Sequence, residues 1–195
     1  MKTYMSFENS LNNRFRIYFP KNFIYDAIRL RYKNIMENLD FPFENLEDYI
    51  NSTIIGTTMP GLSDDGSEEQ YNRDGITRKY KSSKVLDNLV DKSFSITFKL
   101  TDGFLNWMIL YDNMIAHLDH ANKKLYLPNI HLQLLDFDKN ILCEFVYMEA
   151  NFAKIDPLEL AYSNNTPSMN TFTMEFYYNV LNMNEYINIK TNSDK

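Results

Sequence analysis

Ser93-Phe94-Ser95-Ile96-Thr97-Phe98-Lys99-Leu100-Thr101 alternates large apolar with polar side chains without a break. That is the period-two signature of a strand with one buried face. Thr171–Leu181 repeats it, with Phe172, Met174, Phe176, Tyr178 and Val180 on one face and Thr171, Thr173, Glu175, Tyr177 and Asn179 on the other. A period near 3.6 takes over directly after the first strand. Phe104, Trp107, Met108, Tyr111, Met114, Ile115 and Leu118 recur three and four apart, the stripe that packs a helix on a sheet. Trp107 and Tyr111 on that stripe read as core, and Asp102 stands where its carboxylate would cap the first turn.

Outward from these elements the chain is mostly β. Asn129–Phe137 and Ile141–Met148 flank the polar turn Asp138-Lys139-Asn140 and read as a hairpin. Both strands are apolar on both faces, which predicts cover on both sides. Arg14–Phe19 is a short strand stopped by Pro20, and Asn151–Ile155 another. Phe23 to about Met36 predicts a helix, Phe43–Ile50 one or two helical turns, and Ser52–Thr58 a strand. Asp156–Leu160 reads as a helical turn with proline at its start. Met59–Ser83 is the longest irregular stretch. In it and directly after it, Asp64, Asp65, Glu68 and Glu69 precede Arg73, Arg78, Lys79, Lys81 and Lys84. So long a loop in a compact domain tends to be functional or disordered, and acid followed by base suits a partner carrying the complement.

The bulk properties narrow the function. A chain of 195 residues suits one domain with its own core. A formal charge of -6 argues against attraction to DNA or anionic lipid as a main role. Cys143 is the only cysteine, which excludes an intrachain disulfide and suits a reducing compartment. Met1–Asn12 has no apolar run of a signal peptide, and Phe104–Leu118 is too interrupted to span a bilayer.

Catalytic chemistry finds little foothold. His117, Asp119 and His120 could suggest a metal, but they lack the zinc-protease spacing and suit a polar helix end; a small metal-dependent hydrolase using them is the weakest alternative. Asp64–Glu69 lacks the ligand spacing of an EF-hand, Asp136 and Asp138 belong to a turn, and Cys143 sits in an apolar strand as an inert thiol. No phosphate loop or nucleophile elbow is present. No catalytic residue, cofactor or metal is expected.

Phe94–Asp102 running into the helix with Trp107 resembles the middle of contractile-tail bacteriophage tube proteins. The resemblance continues through Ile130–Asp136, Ile141–Met148, the stretch Ala150, Asn151, Phe152, Lys154, Ile155 and Pro157, and the last strand Phe172–Tyr178, with Met59-Pro60-Gly61 as the small proline turn. It covers roughly residues 14–182. It implies a mainly β (α+β) antiparallel barrel or sandwich with one packed helix. Residues 1–195 would be one domain, 22–50 a helical insertion, 59–84 a loop reaching the adjacent ring, and 183–195 a flexible tail. Six copies would close a ring and the rings stack into a hollow tube passing double-stranded DNA, in a phage tail particle made in the host cytoplasm. Sheath, baseplate or tube-terminating proteins would be its neighbours, and no membrane would be involved. On this resemblance Leu132, Leu134, Phe145, Tyr147, Phe172, Phe176 and Tyr178 belong to the ring wall, and the charged residues of Asp64–Lys84 to the stacking contact. A specialised baseplate or tube-end ring, or a bacterial injection-system tube sharing the fold, stands as the alternative.

Overall fold

A computed structural model describes residues 14–38, 42–61, 67–71, 76–80, 92–119, 124–158 and 170–186. Two four-stranded antiparallel sheets pack face to face as a β-sandwich with one helix at its side and a helical insertion near the start. The first sheet runs β1 (Phe15–Tyr18), β6 (Ile130–Leu135), β7 (Ile141–Met148), β10 (Val180–Glu185). The second runs β2 (Ile54–Thr57), β5 (Ser93–Lys99), β9 (Thr171–Tyr177), β8 (Asn151–Ile155). The helices are α1 (Asp26–Asn38), α2 (Leu46–Ser52) and α3 (Leu105–Leu118).

The alternating strands bury the faces their sequence marks. Phe94, Ile96 and Phe98 of β5 and Phe172, Met174 and Phe176 of β9 all point into the core. Across from them stand Ile17, Ile130, Leu132 and Tyr147. Phe94 stacks on Tyr147 with ring centroids 3.9 Å apart and on Phe176 at 5.1 Å. Such pairs each contribute about 0.5–1.5 kcal/mol beyond the area they bury.

Thr171–Leu181, expected as one strand, is two. β9 belongs to the second sheet, and after Tyr178-Asn179 the chain enters the first sheet as β10. The same happens at Glu149-Ala150, where β7 passes into β8 and Glu149 takes a positive φ of 52°. Because β7 pairs with β10 and β8 with β9, the two segments form one bent antiparallel ribbon shared by both sheets. β10 also accounts for part of the stretch expected as a frayed tail; residues 187–195 lie outside the described residues.

The irregular stretch expected at Met59–Ser83 contains a hairpin, β3 (Ser67–Tyr71) with β4 (Ile76–Tyr80). The helical turn expected at Asp156–Leu160 is not formed over its described residues Asp156–Leu158, where Asp156 N donates to Thr173 O at 2.9 Å instead.

The insertion is pinned from below. Asn45 caps α2, its side chain accepting from Asp48 N at 2.8 Å. Glu47 is buried, accepts from Ile24 N at 3.1 Å and pairs with Arg29 of α1. In α1 the buried line is Ile28 and Tyr32, continuing from Ile24, while Leu30 is 73% exposed.

Candidate assembly surfaces

Helix α3 lies along β8, the edge strand of the second sheet. Trp107 Nε1 donates to Asp156 O at one end, and His117 meets Asn151 at the other. The face it packs is the opposite of the expected one. Asn106, Ile109, Leu110, Asn113 and His117 are buried, while Phe104, Met108, Tyr111, Ile115 and Leu118 are exposed, the last two at 51% and 55%. Trp107 is half-buried and stacks on Tyr111 at 4.8 Å.

The inversion has a chemical cause. Asn113 Oδ1 accepts from Tyr25 N at 2.9 Å and its Nδ2 donates to Phe23 O at 3.2 Å. Asn106 Oδ1 accepts from Thr101 N and Oγ1, and its Nδ2 donates to Lys99 O at 2.7 Å. These amides pair backbone groups at the end of β5 and in the entry to α1 that no ladder reaches, so the side that carries them, together with Ile109 and Leu110, is the one buried here. The Asn151 amide nitrogen donates to His117 Nε2 and to Leu125 O, each at 2.9 Å. On its other side His117 Nδ1 lies 2.6 Å from Tyr25 Oη. Asp102 does not cap α3. Its carboxylate accepts from Gly103 N at 2.9 Å, and the chain enters α3 through Gly103 and Phe104 at φ 67° and 58°.

The β6–β7 hairpin also departs from expectation, because its second face is polar. Arg16, Gln133, Glu144 and Asn184 stand in one row across the four strands of the first sheet, and Tyr18, His131, Val146 and Asn182 in the next. Gln133 Nε2 donates to Glu144 Oε1 at 2.9 Å, His131 Nδ1 lies 3.2 Å from the same oxygen, and Tyr186 Oη donates to Oε2 at 3.3 Å. Tyr18 stacks on His131 at 4.9 Å. Burial pushes the Glu144 carboxyl up, but the bonds from Gln133 and His131 and the charge of His131 outweigh it and hold the group below its ordinary value. Amides and paired charges complete this face without a helix over it.

The expected wall residues divide between the sheets. Leu132 and Tyr147 are buried and Leu134 and Phe145 half-buried on the inward face of the first sheet; Phe172 and Phe176 face them from the second, and Tyr178 sits buried at the bend. Of the expected stacking residues, Asp64, Asp65, Arg73, Lys81 and Lys84 lie outside the described residues. Glu68 and Glu69 fall on β3, Arg78 and Lys79 on β4, and the register sets Glu68 opposite Lys79 and Glu69 opposite Arg78.

Among the described residues no group of three His, Cys, Asp or Glu side chains could hold a metal ion, and no helix is long and apolar enough to cross a membrane. Asp136, at the hairpin turn, accepts from Asn140 N at 2.7 Å and from its side chain at 2.8 Å, and these bonds hold its carboxyl below the usual range. Cys143 is buried, and its thiol is pushed up by that burial and then by the charges of Glu185 and Glu144. The surfaces missed from sequence are the outer stripe of α3, the Gln133–Glu144 face and Met183. The stripe's spacing was visible; which side it faced was not.

No family model matches the chain, and no curated protein matches it. Solved structures do. A chain of the anti-feeding prophage baseplate, from a 6-fold symmetrised structure, aligns over 91% of this chain and 96% of its own at 14% identity and a TM-score of 0.51. The sheath/tube terminator of an extracellular contractile injection system aligns over 67% and 84% at 12% identity and 0.46. The Hcp1 protein of Flavobacterium johnsoniae aligns over 68% and 85% at 14% identity and 0.38. The last two scores are too low to bear on the fold; at the first, the chain shares the fold of that baseplate chain.

Proposed function

We propose that this chain is a non-enzymatic structural subunit that closes into six-membered rings within a contractile tail or injection machine, as part of its inner tube. The observation that carries this is the fold likeness to the baseplate chain, nearly complete in both directions. The edges of β1, β2 and β10, beyond which no strand lies among the described residues, support it, since unpaired strand edges are normally paired or covered. The polar face of the first sheet would line the channel. Its amides and internally paired Glu144 offer a passing polymer such as double-stranded DNA little to hold. The β3–β4 hairpin would reach the adjacent ring, and sheath and baseplate proteins would surround the assembly in a phage tail or its bacterial counterpart.

A specialised ring at the baseplate is favoured over the repeating tube subunit. With 91% of the chain matched, the unmatched remainder is shorter than the 22–50 helical segment, so part of that segment has a counterpart in the baseplate chain. Electron microscopy of the purified protein at rising concentration tests the reading. Six-fold rings with an axial hole are expected, short or single if the chain is a baseplate ring and stacked into long tubes if it repeats. A protein that stays monomeric at every concentration refutes the proposal.

A further inference from the structure

Helix α3 carries a large apolar surface on its outside. Phe104, Met108, Tyr111, Ile115 and Leu118 follow one another at intervals of four, three, four and three residues, which holds them on one line. No charged side chain interrupts it. From Phe104 to Leu118 the strip is about 21 Å long, and all five side chains are exposed.

The same molecule has an opening that such a strip would fill. Met183 on β10 faces inward on the first sheet, in the row of Ile17, Leu132 and Phe145, yet it is 54% exposed. Among the described residues no strand lies beyond β10 in its sheet or beyond β2 in the facing sheet. On β2, Ile55 is also exposed. Among the described residues the sandwich is closed by α3 on the side of β8 and open on the side of β10 and β2.

The bent ribbon fixes these as opposite sides. β7–β8 and β9–β10 stay paired through the bend, so the free edge of β8 lies on one side of the ribbon and the free edge of β10 on the other. We infer that the outer stripe of α3 in one copy seats against the open β10–β2 flank of the next, covering Met183 and Ile55.

A two-fold pairing of α3 with itself fits less well. It would leave the open flank uncovered. A head-to-tail contact uses both surfaces and propagates around a ring. This inference rests on the ring reading for its choice of a second copy as the occupant.

Disulfide trapping tests it. Ile115→Cys and Met183→Cys are made as separate full-length proteins and oxidised gently, alone and mixed, with the native chain as control for buried Cys143. Cross-linked dimer in the mixture and none in either variant alone is expected. In parallel, Ile115→Asp should leave the melting temperature of dilute protein unchanged and weaken self-association about tenfold or more. Linkage of Ile115→Cys to itself overturns the head-to-tail geometry. Rings that form in the native protein but show no 115–183 linkage, and persist in Ile115→Asp, overturn the inference and leave the ring reading standing. A native protein that never associates removes both.

Discussion

Replacing Asn113 with leucine separates the structure from ordinary helical amphipathicity. A conventional packed helix would welcome leucine at a fully buried position, with a gain of up to about 2 kcal/mol for the side chain. Here Asn113 is 0% exposed and serves two backbone groups, the Phe23 carbonyl and the Tyr25 amide. Leaving a buried backbone group unpaired costs about 1–3 kcal/mol. The Phe23 side takes the full penalty, and the Tyr25 amide, in a half-buried residue, a smaller one. Set against the gain from leucine, Asn113→Leu should destabilise the chain by roughly 1–3 kcal/mol. Urea denaturation followed by far-ultraviolet circular dichroism, at concentrations where the protein is monomeric, reads this as a lower midpoint with unchanged slope. At this chain length 2 kcal/mol corresponds to roughly 4–8 °C in Tm. A leucine variant as stable as the native chain, or more so, would refute the account of why α3 buries its polar side.

Tyr147 is buried with its hydroxyl unpaired, so Tyr147→Phe should be neutral or stabilising by up to about 2 kcal/mol. Burial raises the folded-state pKa of Tyr147 and, with its bond to Asp112, that of Tyr32 to about 12; the stability they contribute is complete below the unfolded value near 10 and is lost as pH rises beyond it. Spectrophotometric titration should show both ionising late, and the alkaline loss of stability should shrink in Tyr147→Phe. Glu144 is held below its ordinary value in the folded chain, so its contribution is present above the unfolded value of ~4.3 and is lost as pH falls through the folded one. Glu144→Gln should flatten the acid limb of a Tm-against-pH curve, and an unchanged limb would count against the network. Glu47→Gln leaves Arg29 without its buried partner; because Arg29 is partly solvated, a loss of about 2–4 kcal/mol is expected, seen in thermal melts.

Strand positions were legible wherever burial is one-sided. Phe94, Ile96 and Phe98 alternate with polar neighbours, and the structure buries those three. The break at Tyr178-Asn179 was not legible, because the alternation runs through it and neither glycine nor proline marks it. Helix α3 was placed correctly and turned the wrong way. Periodicity locates an apolar line, but Asn106 and Asn113 win the inward side through backbone groups contributed by distant segments. For the same reason the outer face of the β6–β7 hairpin was misread. Gln133 and Glu144 are polar residues among leucines and isoleucines, and only the cross-strand register shows that they meet. Of the surfaces offered for assembly, the α3 strip could be seen as a spacing; the open flank at Met183 depends on which strands neighbour which and has no local signal.

The ribbon shared by the two sheets bears on how force passes through the subunit. Two sheets joined only by side-chain packing can slide over one another when pulled along their strands. In this chain β7 continues into β8 and β9 into β10, with ladder bonds on both sides of the bend. Traction applied to one layer is therefore delivered to the other through covalent backbone, and shearing the layers apart requires tearing a hydrogen-bonded ladder. A ring of such units would transmit an axial thrust as a stiff body.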